Sequence, residues 1–274
     1  MARRYDQVVF SGGGIRCFWH GGFLSEFGSF DDIRPSRISS VSGGALSAAC
    51  WIGNREDDLL AVMQEAFVVN DSNLDAHQSN FTPHQEIYRA VVDVTLDKEA
   101  IEAIADGPAY EVSLSVPPRA VAPRVAAAVY GALYQLDQAV RSTPHLRLPT
   151  GLGLRQLRVD ARQAARDGKL VDLICAAATI PPVFDVPEWQ DCRVLDGGMV
   201  DKAPLPLEDD GETLVLLTSR YRNCREVPGR TYIQPSREVA ADKIDFSDAR
   251  KVSRTWDQGV EDGKAWLAKH GREG

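Results

Sequence analysis

Apolar positions set two rhythms along the chain, short unbroken runs that end in glycine and longer stretches with helical spacing. Residues 7–10 form a short apolar run closed by Ser11-Gly12-Gly13-Gly14, which predicts a strand ending in a glycine turn. A helix should follow through about Phe27. Residues 37–41 are small and β-branched and read as the next strand, and 43–52 as a small-residue helix. Strand, sharp turn and helix therefore occur twice near the start of the chain. Residues 55–69 place Leu59, Leu60, Met63 and Phe67 on one helical face with charges opposite.

A polar loop is predicted over 70–84, helices over 85–104 and 119–140, a strand at 110–116 before Pro117-Pro118, and a loop over 142–153. Residues 171–178 read as a buried helix halted by Pro181-Pro182, and 193–195 as a strand ending at Asp196-Gly197-Gly198. The fully apolar run 213–218 suits a strand buried in a parallel sheet, and 246–267 a long C-terminal helix. Strands alternating with helices predict a layered α/β/α fold. The expected organisation is one domain over 1–274 with a mainly helical insertion at about 70–155 that can act as a lid.

Composition adds limits. Apolar residues make up 44% and charged residues 26%, values of a chain that folds. The net charge of −8 argues against a nucleic-acid partner, which needs clustered cations. Locally the balance reverses: residues 119–166 hold eight arginines against only Asp137 and Asp160, which favours an anionic surface. The same segment contains the longest apolar run, 125–134, far short of the roughly 18 residues that span a bilayer. It reads either as a helix buried against the sheet or as a lid with peripheral membrane contact. The start of the chain lacks the apolar core of a secretory signal, so a cytoplasmic location is expected. The five cysteines form no CxxC pair and are expected to be reduced, with no metal site and no cofactor.

Three short motifs can carry chemistry. Ser11-Gly12-Gly13-Gly14-Ile15-Arg16 lets backbone N–H groups approach a ligand at a helix start. A dinucleotide reading of it fails, because Cys17 stands where glycine is needed and Val41 where an acid is needed. A P-loop reading fails for want of Lys-Ser or Lys-Thr. Ser40-Val41-Ser42-Gly43-Gly44 is a near match to the GxSxG nucleophile elbow, with Ser40 in place of the first glycine. Leu195-Asp196-Gly197-Gly198 puts a carboxylate at a strand end, where it can serve as a base for a hydroxyl.

In this order and spacing, and with Ala203-Pro204 after the third motif, the set resembles the patatin-like phospholipase family. The stretch 176–184, with its small residues, Ile180-Pro181-Pro182 and Phe184, resembles the segment that precedes the catalytic aspartate there. The likeness covers roughly 5–52 and 160–220. It implies a three-layer fold, hydrolysis of lipid acyl esters by a Ser-Asp dyad, and no metal. Carried over by position, Ser42 is the nucleophile, Asp196 its base, and Gly12, Gly13 and Gly14 the oxyanion turn, closed by Arg16, with Gly43 adding an N–H. Ser11, Cys17 and Ser40 depart from the family pattern. Ser40 and Cys17 motivate an alternative in which the fold is kept as a catalytically idle scaffold or regulatory protein.

A third reading, a Ser-His-Asp esterase, needs a histidine after the acid, and only His270 qualifies. His77, His84 and His145 fall in predicted loops, and His20 is expected to pack in the helix after the glycine turn.

Overall fold

The structure is a computed structural model that describes residues 5–70, 72–73, 83–119, 121–145, 148–180, 184–224 and 227–271. In chain order the elements begin with β1 (Gln7–Phe10), a 3-10 turn at Gly14–Cys17, α1 (Phe18–Phe27), α2 (Phe30–Ile33), β2 (Arg37–Val41), α3 (Gly43–Gly53) and α4 (Glu56–Val69). They continue with α5 (His84–Thr95), α6 (Lys98–Asp106), β3 (Ala109–Val116), α7 (Pro123–Arg141), α8 (Leu148–Gly151), β4 (Arg155–Asp160), α9 (Ala161–Arg166) and α10 (Leu170–Ala177). The remainder comprises β5 (Glu188–Trp189), β6 (Cys192–Arg193), β7 (Leu195–Asp196), β8 (Thr213–Leu216), β9 (Arg230–Ile233) and α11 (Ala249–His270).

The main sheet runs β4-β3-β2-β1-β8-β9, with β7 also paired to β3. The pairs β1/β2, β1/β8, β2/β3 and β8/β9 are parallel, whereas β3/β4 and β3/β7 are antiparallel. This mostly parallel sheet, flanked by helices, is the expected three-layer α/β/α arrangement. Successive side chains point to opposite faces of a strand. Val8, Phe10, Ile38, Leu214 and Leu216 accordingly join the core formed with α1, α3 and α4, while Val9, Val215 and Leu217 pack with Ala203 and Tyr221 on the other face. Helix α1 packs on α11 through glycines: a Cβ on Gly22 would lie 2.0 Å from Trp256 O. Such backbone contact leaves no room for a side chain.

Several boundaries differ from the sequence reading. The expected helix over 85–104 is two helices, because the Asp97 side chain accepts a bond from Ala100 N–H at 2.9 Å and starts α6 afresh. Strands β4 and β9, not expected from the sequence, form the two ends of the main sheet. Within 70–155, β3 lies inside the sheet between β2 and β4, so that segment supplies part of the central layer as well as helices. The expected stop at Pro181-Pro182 lies outside the described residues. All five cysteines are free, and no described helix is long and apolar enough to cross a membrane.

Candidate active site

The site assembles where parallel strands end. In register, Phe10 of β1 lies beside Ser40 of β2 and Leu216 of β8, while Leu114 of β3 lies beside Asp196 of β7. The glycine turn after β1, the Ser42 turn after β2 and the Asp196 turn after the antiparallel β7 therefore lie side by side at one end of the sheet.

Ser42 caps α3 with φ 56° and ψ −139°, a left-handed conformation that a side chain rarely adopts. The reason is local: β2 must turn at once into α3, and only a sharp corner lifts the hydroxyl to the helix start. The corner holds because Gly44 has no side chain; a Cβ there would sit 2.4 Å from Ser11 O. Ser40, which stands in place of the first glycine of the elbow, is accommodated. Its Oγ donates to Tyr110 Oη at 3.1 Å, and Tyr110 Oη in turn donates to Ala45 O at 2.6 Å, tying β2, β3 and α3 together.

Ser42 Oγ donates to Asp196 Oδ2 at 2.7 Å, and both residues are only 3% exposed. The other carboxylate oxygen, Oδ1, accepts from Gly198 N–H at 2.6 Å. Asp196 N–H donates to Thr179 O at 2.8 Å, which fixes β7 against the end of α10. The two expected dyad side chains, 154 residues apart, thus meet directly.

The expected donors divide into two groups. Gly12 N–H donates to Lys202 O at 2.9 Å and Arg16 N–H to Gly13 O at 3.3 Å, so neither is open to a ligand. The Arg16 side chain turns away, reaching Ser219 Oγ at 3.4 Å and Glu238 at 4.0 Å. Among the described residues the N–H groups of Gly13, Gly14 and Gly43 meet no acceptor. Gly43 opens α3, where the first amides have no intrahelical partner and the dipole favours negative charge. The turns touch closely: a Cβ on Gly43 would lie 2.7 Å from Gly14 O and 3.1 Å from Cys17 Sγ.

Ser11 and Cys17 hold the turn rather than disturb it. Ser11 Oγ accepts from Thr218 N–H at 3.0 Å and Thr218 Oγ1 donates to Gly12 O at 2.7 Å, so the turn is fastened to the chain beyond β8. Cys17 Sγ donates to Ser11 O at 3.6 Å, and burial pushes its thiol well above the usual range. That thiol is unreactive at neutral pH.

The histidines stay apart from the dyad. Among the described residues none hydrogen-bonds Ser42 or Asp196. His20 is fully buried against Phe10, its Nε2–H donates to Leu216 O at 3.3 Å, and desolvation pulls its pKa down to about 3. His145 is held between Asp201 at 3.1 Å and Tyr232 Oη at 3.0 Å. His84 Nε2–H donates to Ile244 O at 2.7 Å. His270 is exposed and stacked on Trp266, with centroids 4.4 Å apart. His77 lies outside the described residues.

Sequence reasoning missed Lys202. It is 8% exposed, and a Cβ placed on Gly198 would lie 3.0 Å from both Lys202 Nζ and Asp196 Oδ1, so the ammonium flanks the carboxylate. Its only signal in the sequence is its place in the loop that begins at Asp196. Sequence reasoning also left open what Ser42 faces. The serine lines a cavity that encloses about 740 Å³ of atom-free space, the open mouth included, walled mainly by apolar side chains such as Leu46, Leu59, Met63, Phe246 and Trp256.

A serine lifted on a strained corner, with a carboxylate on its hydroxyl and open amides alongside, is the geometry of nucleophilic acyl transfer. The sequence comparison agrees in class and goes further: the family model for patatin-like phospholipase matches residues 8–208, and the chain belongs to that family, whose members are generally lipid acyl hydrolases. Among solved structures, VipD from Legionella pneumophila superimposes with a TM-score of 0.54 at 10% sequence identity. The match covers 98% of this chain and 67% of that one, and at this identity it concerns the fold alone. No curated protein matches the chain in sequence.

Proposed function

We propose that the protein hydrolyses carboxylic esters of lipids through a Ser42–Asp196 dyad. The reading rests above all on the 2.7 Å hydrogen bond from Ser42 Oγ to Asp196 Oδ2. Asp196 takes the hydroxyl proton as Oγ bonds to the ester carbonyl carbon. The carbonyl oxygen gains the negative charge and is received by the N–H groups of Gly13, Gly14 and Gly43. Collapse of this intermediate breaks the bond to the alcohol, which leaves with the proton from Asp196. Water then attacks the acyl carbon and gives its proton to the same carboxylate. When the Ser42 ester bond breaks, Oγ regains that proton and a free fatty acid departs. Each oxyanion donor is worth about 3 to 4 kcal/mol of transition-state stabilisation.

The experiment is a panel of phospholipids, lysophospholipids, acylglycerols and thioesters, with released acid as the readout. Turnover of at least one class by the wild type, abolished in Ser42→Ala, is expected; turnover that survives the substitution places the nucleophile elsewhere.

Helix α7 supports a peripheral lipid contact within this reading. Its inner residues Ala126 and Tyr130 pack with Leu195, Met199 and Val200 around the Asp196 turn, whereas Val125, Val129, Leu136 and Val140 are 48–73% exposed. These four fall on one side of the helix, in a segment rich in arginine. Binding to anionic but not neutral liposomes, lost in Val129→Asp/Leu136→Asp, is the expected result; equal failure on both liposome types removes this part.

A further inference from the structure

The loop that begins at Asp196 turns back on its own start. Val200 N–H and Asp201 N–H both donate to Gly197 O, at 2.9 and 3.2 Å, so the chain coils and returns Lys202 to the neighbourhood of Asp196. The Lys202 main chain is pinned there on both sides: its N–H donates to Pro144 O at 3.0 Å, and its carbonyl accepts from Gly12 N–H at 2.9 Å. The preceding residue is fastened too, since the Asp201 carboxylate accepts from Ala203 N–H at 3.0 Å and holds His145, which also reaches Tyr232 of β9. One residue thus anchors the glycine turn by its carbonyl and sends its side chain toward the base.

Lys202 is the one lysine or arginine buried among the described residues, at 8% exposure. Lysine is almost never buried without an opposite charge, and an ionised carboxylate as withdrawn from water as Asp196 needs one as well. A Cβ at position 198 would lie 3.0 Å from Lys202 Nζ and 3.0 Å from Asp196 Oδ1, so these two atoms are within about 6 Å of each other, the range in which an opposite charge favours the ionised form of a carboxyl. Oδ1 borders that space and also accepts from Gly198 N–H, whereas Oδ2 faces Ser42. The nearby guanidinium of Arg16 does not compete for this role, because it turns to Ser219 and Glu238.

We propose that Lys202 is a positioning residue for the reaction: its ammonium is the counter-charge that keeps the buried Asp196 ionised, with Oδ2 free to take the Ser42 proton, while its carbonyl holds the glycine turn that carries the oxyanion donors. The inference rests on the reading above for the role of Asp196 as base. Methionine at position 202 keeps the carbonyl and most of the stem and removes only the charge. Without that charge Asp196 holds a proton of its own and cannot accept one from Ser42. Lys202 is not among the residues that line the cavity, so the loss falls on kcat and leaves KM in place.

The test is a double-mutant cycle of Lys202→Met and Asp196→Asn, read by Tm at neutral pH, with ester hydrolysis measured on Lys202→Met and Lys202→Arg. Lys202→Met should lower Tm by several degrees when Asp196 is present, and leave it unchanged or raise it in Asp196→Asn, where the ammonium has lost its counter-charge. A lysine that served only by packing its stem would lower Tm equally in both backgrounds. In hydrolysis, kcat of Lys202→Met should fall about tenfold or more at constant KM, and Lys202→Arg, which keeps the charge, should restore most of it. If Lys202→Met folds only together with Asp196→Asn, that is the same coupling in stronger form. Equal Tm losses in the two backgrounds, failure to fold in both, or a kcat within threefold of wild type in Lys202→Met overturns the proposal. Because the Tm cycle needs no turnover, an active enzyme with additive Tm changes refutes this inference alone, and a coupled pair in a chain that never turns over refutes only the catalytic reading.

Discussion

Replacing Gly43 with alanine tests the amide cup while leaving both dyad side chains in place. The new Cβ would lie 2.7 Å from Gly14 O and 3.1 Å from Cys17 Sγ. Close carbon–oxygen contacts settle near 3.3 Å or more, so the glycine turn and the start of α3 must part by roughly 0.6 Å. Gly14 cannot yield freely, because its neighbour Ile15 donates to Lys243 O at 3.2 Å and Gly13 O is held by Arg16 N–H. Displacement therefore falls on the very amides assigned to the oxyanion. Misplacement on this scale, or loss of one donor, lowers kcat about 100-fold, equivalent to about 2.7 kcal/mol in the barrier. Folding suffers less, since alanine in a helix is favoured over glycine by about 1 kcal/mol, which offsets part of the contact cost. The assay is steady-state hydrolysis of a nitrophenyl ester, with Tm recorded alongside. A folded variant with kcat within threefold of wild type would show that the cup does not receive the oxyanion.

Other positions give independent outcomes. Gly22→Ala forces a Cβ to within 2.0 Å of Trp256 O in the α1–α11 contact, where overpacking costs about 1 to 3 kcal/mol, so Tm should fall by several degrees. Glu56 has a folded pKa of about 7 against 4.5 for the free side chain, so the folded state holds its proton more tightly and the wild type loses stability as pH rises through that window. Glu56→Gln should thus raise Tm relative to wild type at pH 8 but not at pH 4, and the opposite ordering would contradict the assignment. His270→Ala should leave kcat/KM unchanged, because the ring stacks on Trp266 at the surface; a large loss would revive a Ser-His-Asp mechanism.

The site was legible where chemistry is compressed into a few adjacent residues. Three glycine-bearing turns each need small residues for steric reasons, and their order along the chain survives in one dimension, so Ser42 and Asp196 could be singled out before their contact was seen. Which amides are open could not be read, because Gly12 and Arg16 are engaged by Lys202 O and Gly13 O through tertiary geometry. Lys202 was invisible as a site residue for the same reason: a lone polar residue in a loop carries no sign of which group it will face. Among the elements, the buried strands β1 and β8 announced themselves by apolar runs and β2 by small and β-branched residues. The sheet-end strands β4, Arg-Gln-Leu-Arg-Val-Asp, and β9, Arg-Thr-Tyr-Ile, did not, since each pairs with the main sheet on one side only and has less need of such a run. The break between α5 and α6 did leave a trace, Asp97 followed by Lys-Glu-Ala, but helical periodicity on both sides hid the new cap.

The most direct measurement is to treat the purified protein with a fluorophosphonate and map the adduct by peptide mass spectrometry in wild type, Ser42→Ala and Asp196→Asn. A single phosphonylated peptide centred on Ser42, absent in the alanine variant and formed far more slowly in the asparagine variant, is the predicted result. An adduct on another residue, or labelling of Ser42 at an unchanged rate without the Asp196 carboxylate, would contradict a mechanism in which that carboxylate activates that hydroxyl.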